Sequence, residues 1–196
     1  MGLPMKFPVA KLKPAGGEIY AHIFENRHTG LARNLFWSFR IEFKPLRYGE
    51  DDSEWTCSMM TEWITFPIFD WKQLEGQELD VSDGERGIES SFYMTSHDPG
   101  VRGKLAISQR KANVFRVALD MTVNFHGYYG DDADPEMRVR TEADIPFEKV
   151  AFNSGNLFPK PKNIAEANAI ATKYLDLATF HPMQKNGDQF VLQPKW

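Results

Sequence analysis

The sequence predicts a mainly β, β-rich α+β fold: an antiparallel twisted sheet or β-sandwich of about seven to nine strands, with one C-terminal helix packed on it. Three observations predict it. Residues 114–125 place Phe115, Val117, Leu119, Met121, Val123 and Phe125 on one parity, and Arg116, Asp120, Thr122 and Asn124 on the other. Strand side chains alternate between faces, so this segment has one apolar and one wet face. Residues 35–43 and 138–147 repeat the alternation. Residues 163–179 switch to helical spacing, with Ala167, Ile170, Ala171, Tyr174, Leu175 and Ala178 on one stripe.

The elements follow in order. Residues 1–17 carry Pro4, Pro8 and Pro14 and then Gly16-Gly17, which reads as an extended arm. In residues 18–25, Ile19, Ala21 and Ile23 alternate with Tyr20, His22 and Phe24, so the strand has apolar groups on both faces. In residues 35–43, Leu35, Trp37, Phe39, Ile41 and Phe43 share one parity, and Phe36 breaks the polar side. Residues 55–64 return with Trp55, Cys57, Met59 and Trp63 on one face, which predicts a hairpin with a long connection. Residues 76–87 are acidic and turn-rich, and 88–95 form a candidate strand. Residues 96–100, Ser-His-Asp-Pro-Gly, are a turn by composition.

Residues 103–147 read as a three-stranded meander with 114–125 at its centre. Gly155, Pro159 and Pro161 mark a boundary before the helix. Asn163 is its N-cap, and Glu166 completes a capping-box pattern. Residues 189–193 form a last short strand. A chain of 196 residues with these elements is read as a single domain, 1–196.

Composition excludes several function classes. The single Cys57 forbids an internal disulfide, which favours a reducing compartment. No apolar run is long enough to span a membrane, and the expected location is cytoplasmic. Residues 49–100 hold 13 acidic and 2 basic side chains, and the basic residues elsewhere are diluted among acids. That argues against a nucleic-acid partner, which needs a concentrated basic face. No phosphate-binding or dinucleotide-binding glycine pattern is present. Ser96-His97-Asp98 cannot be a catalytic triad, because consecutive residues cannot flank one imidazole from both sides. Cys57 lies on an apolar strand face and reads as an inert thiol. The five histidines lack zinc spacing. No catalytic residue, metal site or cofactor is assigned.

The loop at 126–137 attracts attention because hairpin loops usually take roughly 2–5 residues and longer ones are often functional. It offers Tyr128 and Tyr129 and then Asp131, Asp132, Asp134 and Glu136, without the calcium-loop pattern. A second acidic loop carries Asp51 and Asp52. These residues are the expected partner-binding surface. The expected function is a non-catalytic protein-binding module, of the immunity or inhibitor type, that neutralises a partner with a basic surface. Two alternatives stay open. One is a hydrolase or metal-assisted enzyme assembled from dispersed carboxylates and His. The other is a small-ligand or carbohydrate-binding β-sandwich that uses aromatic rings such as Trp37, Trp55, Trp63 and Trp71.

Overall fold

The computed structural model describes residues 7–48, 53–82, 87–94, 97–125 and 136–196. Its strands are β1 (Pro14–Asn26), β2 (Leu31–Phe43), β3 (Leu46–Tyr48), β4 (Ser53–Trp55), β5 (Ser58–Ile64), β6 (Glu78–Ser82), β7 (Glu89–Tyr93), β8 (His97–Lys111), β9 (Val114–Asn124), β10 (Glu136–Asn153), β11 (Gln184–Asn186) and β12 (Gln189–Leu192). Among the described residues one α-helix, α1, spans Ile164–Ala171. The mainly β class with a large antiparallel sheet and a C-terminal helix agrees with the sequence. Among the described residues there are more strands than the alternating runs suggested, and no helix is long and apolar enough to cross a membrane.

Ten strands belong to one sheet, and its pairings run β1-β2-β5-β7-β8-β9-β10 before β10 returns to β1. That last contact is parallel, Ile19 to Phe147 and Ala21 to Val150, and it turns the row into a closed ring of seven strands. Closure removes the exposed edges that β1 and β10 would otherwise offer to other chains. Two long strands make this possible. The start of β8 pairs with β7, and its middle pairs with β6. The first part of β10 pairs with β9, and its last residues lie between β1 and β12.

The inside of the ring is the core. On β9, Phe115, Val117, Leu119, Met121 and Val123 are all buried, and the residues between them are half-exposed. This is the alternation read from the sequence. Trp71, on a 3-10 turn at Trp71–Leu74, is fully buried, with its ring 5.6 Å from Phe147 and 6.1 Å from Phe115. Its indole N–H donates to Thr179 O at 3.1 Å. Phe7 stacks on Phe125 at 4.8 Å, so the N-terminal arm contributes a plug. Each such aromatic stabilises the fold by roughly 1.5–3 kcal/mol relative to exposure.

On the outer face of β8–β10, opposite charges face each other across the strands. Arg116 lies opposite Asp144 and donates to both carboxylate oxygens, at 2.8 and 3.0 Å. Arg140 lies opposite Asp120 at 3.0 Å, and Lys104 opposite Asp80 at 3.5 Å. Exposed pairs of this kind add little to stability and help fix register.

Several sequence readings change. Residues 97–100 are strand, not turn: His97, Asp98 and Pro99 pair with Tyr93, Phe92 and Ser91. Gly100 is inside β8, where a Cβ would lie 2.8 Å from the Ser90 Cβ. Composition identifies such glycines as turns, although here their missing side chain lets two strands approach. The acidic segment 76–87 contains a strand, β6. The helix stops at Ala171 instead of continuing to 179. Beyond it, Tyr174 Oη donates to Arg33 O at 3.1 Å and Asp176 N to Phe69 O at 2.8 Å, which ties the chain to the ring. The capping pattern holds at the other end: Asn163 Oδ1 accepts the Glu166 N–H at 2.9 Å.

Candidate functional site

Part of the outer face of β1, β2 and β5 is aromatic. Tyr20, His22 and Phe24 project outward from β1, opposite to the buried Ile19, Ala21 and Ile23. Phe36, across from His22 in the register, joins them from β2. The fifth ring is Trp63. Trp37 pairs with Ile64 and Phe39 with Thr61, so both Glu62 and Trp63 stand against the single residue Ser38. This is a β-bulge, and it breaks the alternation of β5. Thr61 and Ile64 are buried, while Trp63 is swung to the outer face at φ 62°. A bulky side chain in the left-handed region is rare and strained. Bulges commonly re-aim a side chain beside a functional site. The sequence reading had put Trp63 on the buried face with Met59, and the bulge overturns it.

The Trp63 ring meets three others nearly edge-on: His22 at 4.9 Å and 84°, Phe24 at 5.4 Å and 60°, and Phe36 at 5.4 Å and 72°. Beside these rings lies a cleft of about 530 Å³. Phe24, Phe36 and Trp63 form its aromatic wall. The β1–β2 turn, with Asn26, Thr29, Gly30 and Leu31, closes one end, and Gly87 and Glu89 line another part. The turn is shaped by Asn26 Oδ1, which accepts the His28 and Thr29 N–H groups at 3.0 and 3.4 Å, and by Gly30 at φ 76°. It is anchored from below. Arg33 contacts the Glu25 carboxylate at 2.7 Å, and Arg33 and Arg27 both donate to Phe158 O, at 2.5 and 3.2 Å. Glu25 also accepts the Phe158 N–H.

The electrostatics of the patch follow from its burial. Removal from water lowers the pKa of His22 below its ordinary value, so its imidazole is neutral at neutral pH. Burial, reinforced by the Glu62 carboxylate, pushes the Tyr20 phenol up to about 12, and its O–H donates to Glu62 Oε1 at 2.9 Å. Burial opposes ionisation of Glu25. The Arg33 hydrogen bond, the Phe158 N–H and the charges of Arg33 and Arg27 outweigh it and hold this carboxyl below the usual range. Glu62 and Glu89 face each other across β5 and β7.

A larger cleft, about 690 Å³, surrounds the β8–β9 turn and is lined by Glu75, Arg110, Arg116 and Asp144 among others. Four of its five charged side chains, all but Lys111, already face an opposite charge. Arg116 holds Asp144, Arg110 lies 3.9 Å from Glu75, and Arg110 also donates to Ala112 O at 2.7 Å. It has no aromatic wall, so the smaller cleft is the stronger candidate.

The sequence-predicted partner surface is mostly not in view. Tyr128, Tyr129, Asp131, Asp132, Asp134, Asp51 and Asp52 lie outside the described residues. Glu136 opens β10 and accepts from Arg102 at 3.0 Å. Cys57 is buried, and desolvation pushes its thiol up to about 11, away from the reactive thiolate. Among the described residues, no group of three or more His, Cys, Asp or Glu side chains is placed to hold a metal. Trp37 and Trp71 are core residues. The aromatic cleft is only partly legible: the sequence offers Trp63 among four tryptophans for ligand binding, but on the wrong face, while Phe24 and Phe36 read only as apolar groups on the second face of their strands. Comparison of the chain with protein-family models, curated proteins and solved structures found no match.

Proposed function

We propose that this protein is a non-catalytic binding module that takes a small ligand in the aromatic cleft between the β1–β2 turn and Glu89. The observation that carries the reading is Trp63, which sits in a strained backbone conformation that brings its ring to the cleft wall instead of the core. Strain of this kind costs of order 1–3 kcal/mol and persists where the surroundings enforce it, often at binding sites. The cleft volume falls in the range of small-molecule sites, roughly 300–1,000 Å³, which are typically apolar with a few polar groups. Asn26, Thr29 and Glu89 supply those groups.

A thermal-shift panel of monosaccharides, amino acids, nucleosides and alkylammonium salts tests this reading on the wild type and on Trp63→Ala. A ligand at ten times its Kd stabilises by about 1.4 kcal/mol, which is a rise of about 3–6 °C for a chain of this size. One class should produce that rise in the wild type and none in the variant. No response to any class, or an equal response in Trp63→Ala, overturns the reading.

A further inference from the structure

Glu89 is the only charged side chain among the described residues that line the aromatic cleft. We infer that the ligand of this cleft is an organic cation of the alkylated ammonium type, held by the rings of Phe24, Phe36 and Trp63 and by the Glu89 carboxylate. The inference rests on the small-ligand reading above and specifies its chemistry.

Aromatic faces carry negative quadrupole potential and attract cations, most strongly at Trp and when water is excluded. The Phe24 and Phe36 rings of this wall are inclined at 60° and 72° to Trp63, so the three do not form one flat stacking surface. A sugar favours a flat platform with many hydrogen-bonding partners, which a wall of two phenyl rings and an indole does not supply. An anion would face Glu89, with Glu62 directly across the ladder from it. Among the described residues, Arg33 and Arg27 do not offset this charge, because they are engaged by Glu25 and Phe158 O. The neutral imidazole of His22 adds no positive charge to the ring cluster. What remains is an apolar, negatively biased cleft whose complement is a soft, weakly hydrated cation.

The test uses the full chain and calorimetric titration with choline, with 3,3-dimethylbutan-1-ol as its uncharged isostere. Choline should bind at least tenfold more tightly than the isostere. Trp63→Ala should weaken choline at least tenfold, and Glu89→Gln should weaken it severalfold while reducing its salt dependence. Near-UV circular dichroism checks each variant, and Phe24→Leu replaces Trp63→Ala if the latter does not fold. Equal binding of choline and the isostere overturns the cation assignment but leaves a small-ligand site. So does failure of choline where another class in the panel binds and depends on Trp63. If no compound of any class binds, the ligand reading itself falls and takes this inference with it.

Discussion

Glu62 of β5 and Glu89 of β7 stand directly opposite each other in an antiparallel ladder. The contrast with the rest of the ring is informative. Where β6, β8, β9 and β10 place charges opposite one another at Asp80–Lys104, Arg116–Asp144 and Asp120–Arg140, the signs are complementary. Like charges at facing positions destabilise a sheet. Among the described residues, the one rung with like charges lies beside the aromatic cleft, where a local conflict is expected if the site serves binding.

Removing that conflict should stabilise the protein. Glu89→Gln is expected to raise the unfolding free energy by about 0.2–1 kcal/mol, measured by urea denaturation at low salt. The gain should shrink at high salt as the repulsion is screened. A loss of stability would show that the two carboxylates do not repel in the folded state.

Trp63 allows a test in which the usual ranking of residues reverses. Glycine in a strand is ordinarily worse than alanine. At φ 62°, however, a Cβ costs roughly 1 kcal/mol or more. Trp63→Gly should therefore be more stable than Trp63→Ala by about that amount, with both losing the ring contacts to His22, Phe24 and Phe36. Equal stabilities, or alanine above glycine, would mean that the bulge relaxes once the indole is gone.

His22 gives the protein a defined pH response. Its folded-state pKa lies below the ordinary value because burial among Tyr20, Phe24, Phe36 and Trp63 disfavours the charged imidazolium. The unfolded chain then binds the proton more readily, so the neutral imidazole's contribution is fully present above the unfolded value of about 6.5. It is lost as the pH falls from there toward the lower folded value. The carboxyls of Glu25, Asp120 and Asp144, all shifted down, enter only at more acid pH, near and below about 4. Melting temperature should thus fall between pH 7.5 and pH 5.5, and His22→Phe should flatten that part of the profile. An unchanged slope in the variant would assign the response elsewhere.

Gly103 should tolerate no side chain. A methyl group there would lie 2.3 Å from Asp120 O and 2.8 Å from the Met121 backbone, so β8 and β9 would have to separate. Gly103→Ala is expected to cost about 2–4 kcal/mol. Gly30→Ala meets only its positive φ of 76° and open space, and should cost about 1 kcal/mol. Comparable losses at the two positions would contradict the packing argument.

The fold was legible where one residue pattern governs both local conformation and burial. The strand at 114–125 was found because its alternation is uninterrupted, and the meander around it because its neighbours share that period. The capped helix start was found because Asn163 and Glu166 act within one turn. The reading failed where a long-range contact decides the local geometry. Gly100 reads as a turn residue until Ser90 and Met121 are brought against it. Trp63 reads as core because parity counting assumes an unbroken ladder, and no glycine marks the bulge that breaks it. The cleft was half visible for the same reason: β1 and β2 place Phe24 and Phe36 on their outer faces by simple alternation, whereas Trp63 reaches that face through an irregularity on a third strand.

The parallel seam between Ile19–His22 and Phe147–Ala151 has a kinetic consequence. The ring cannot close until segments more than a hundred residues apart in sequence meet, and the entropy of that loop is lost before the seam's hydrogen bonds repay it. During synthesis, β1 and β2 would emerge and pair early, with the free side of β1 waiting for β10. Throughout that interval the chain carries an open strand and an uncovered apolar face, which makes this the stage at which it is most prone to pair with another copy of itself.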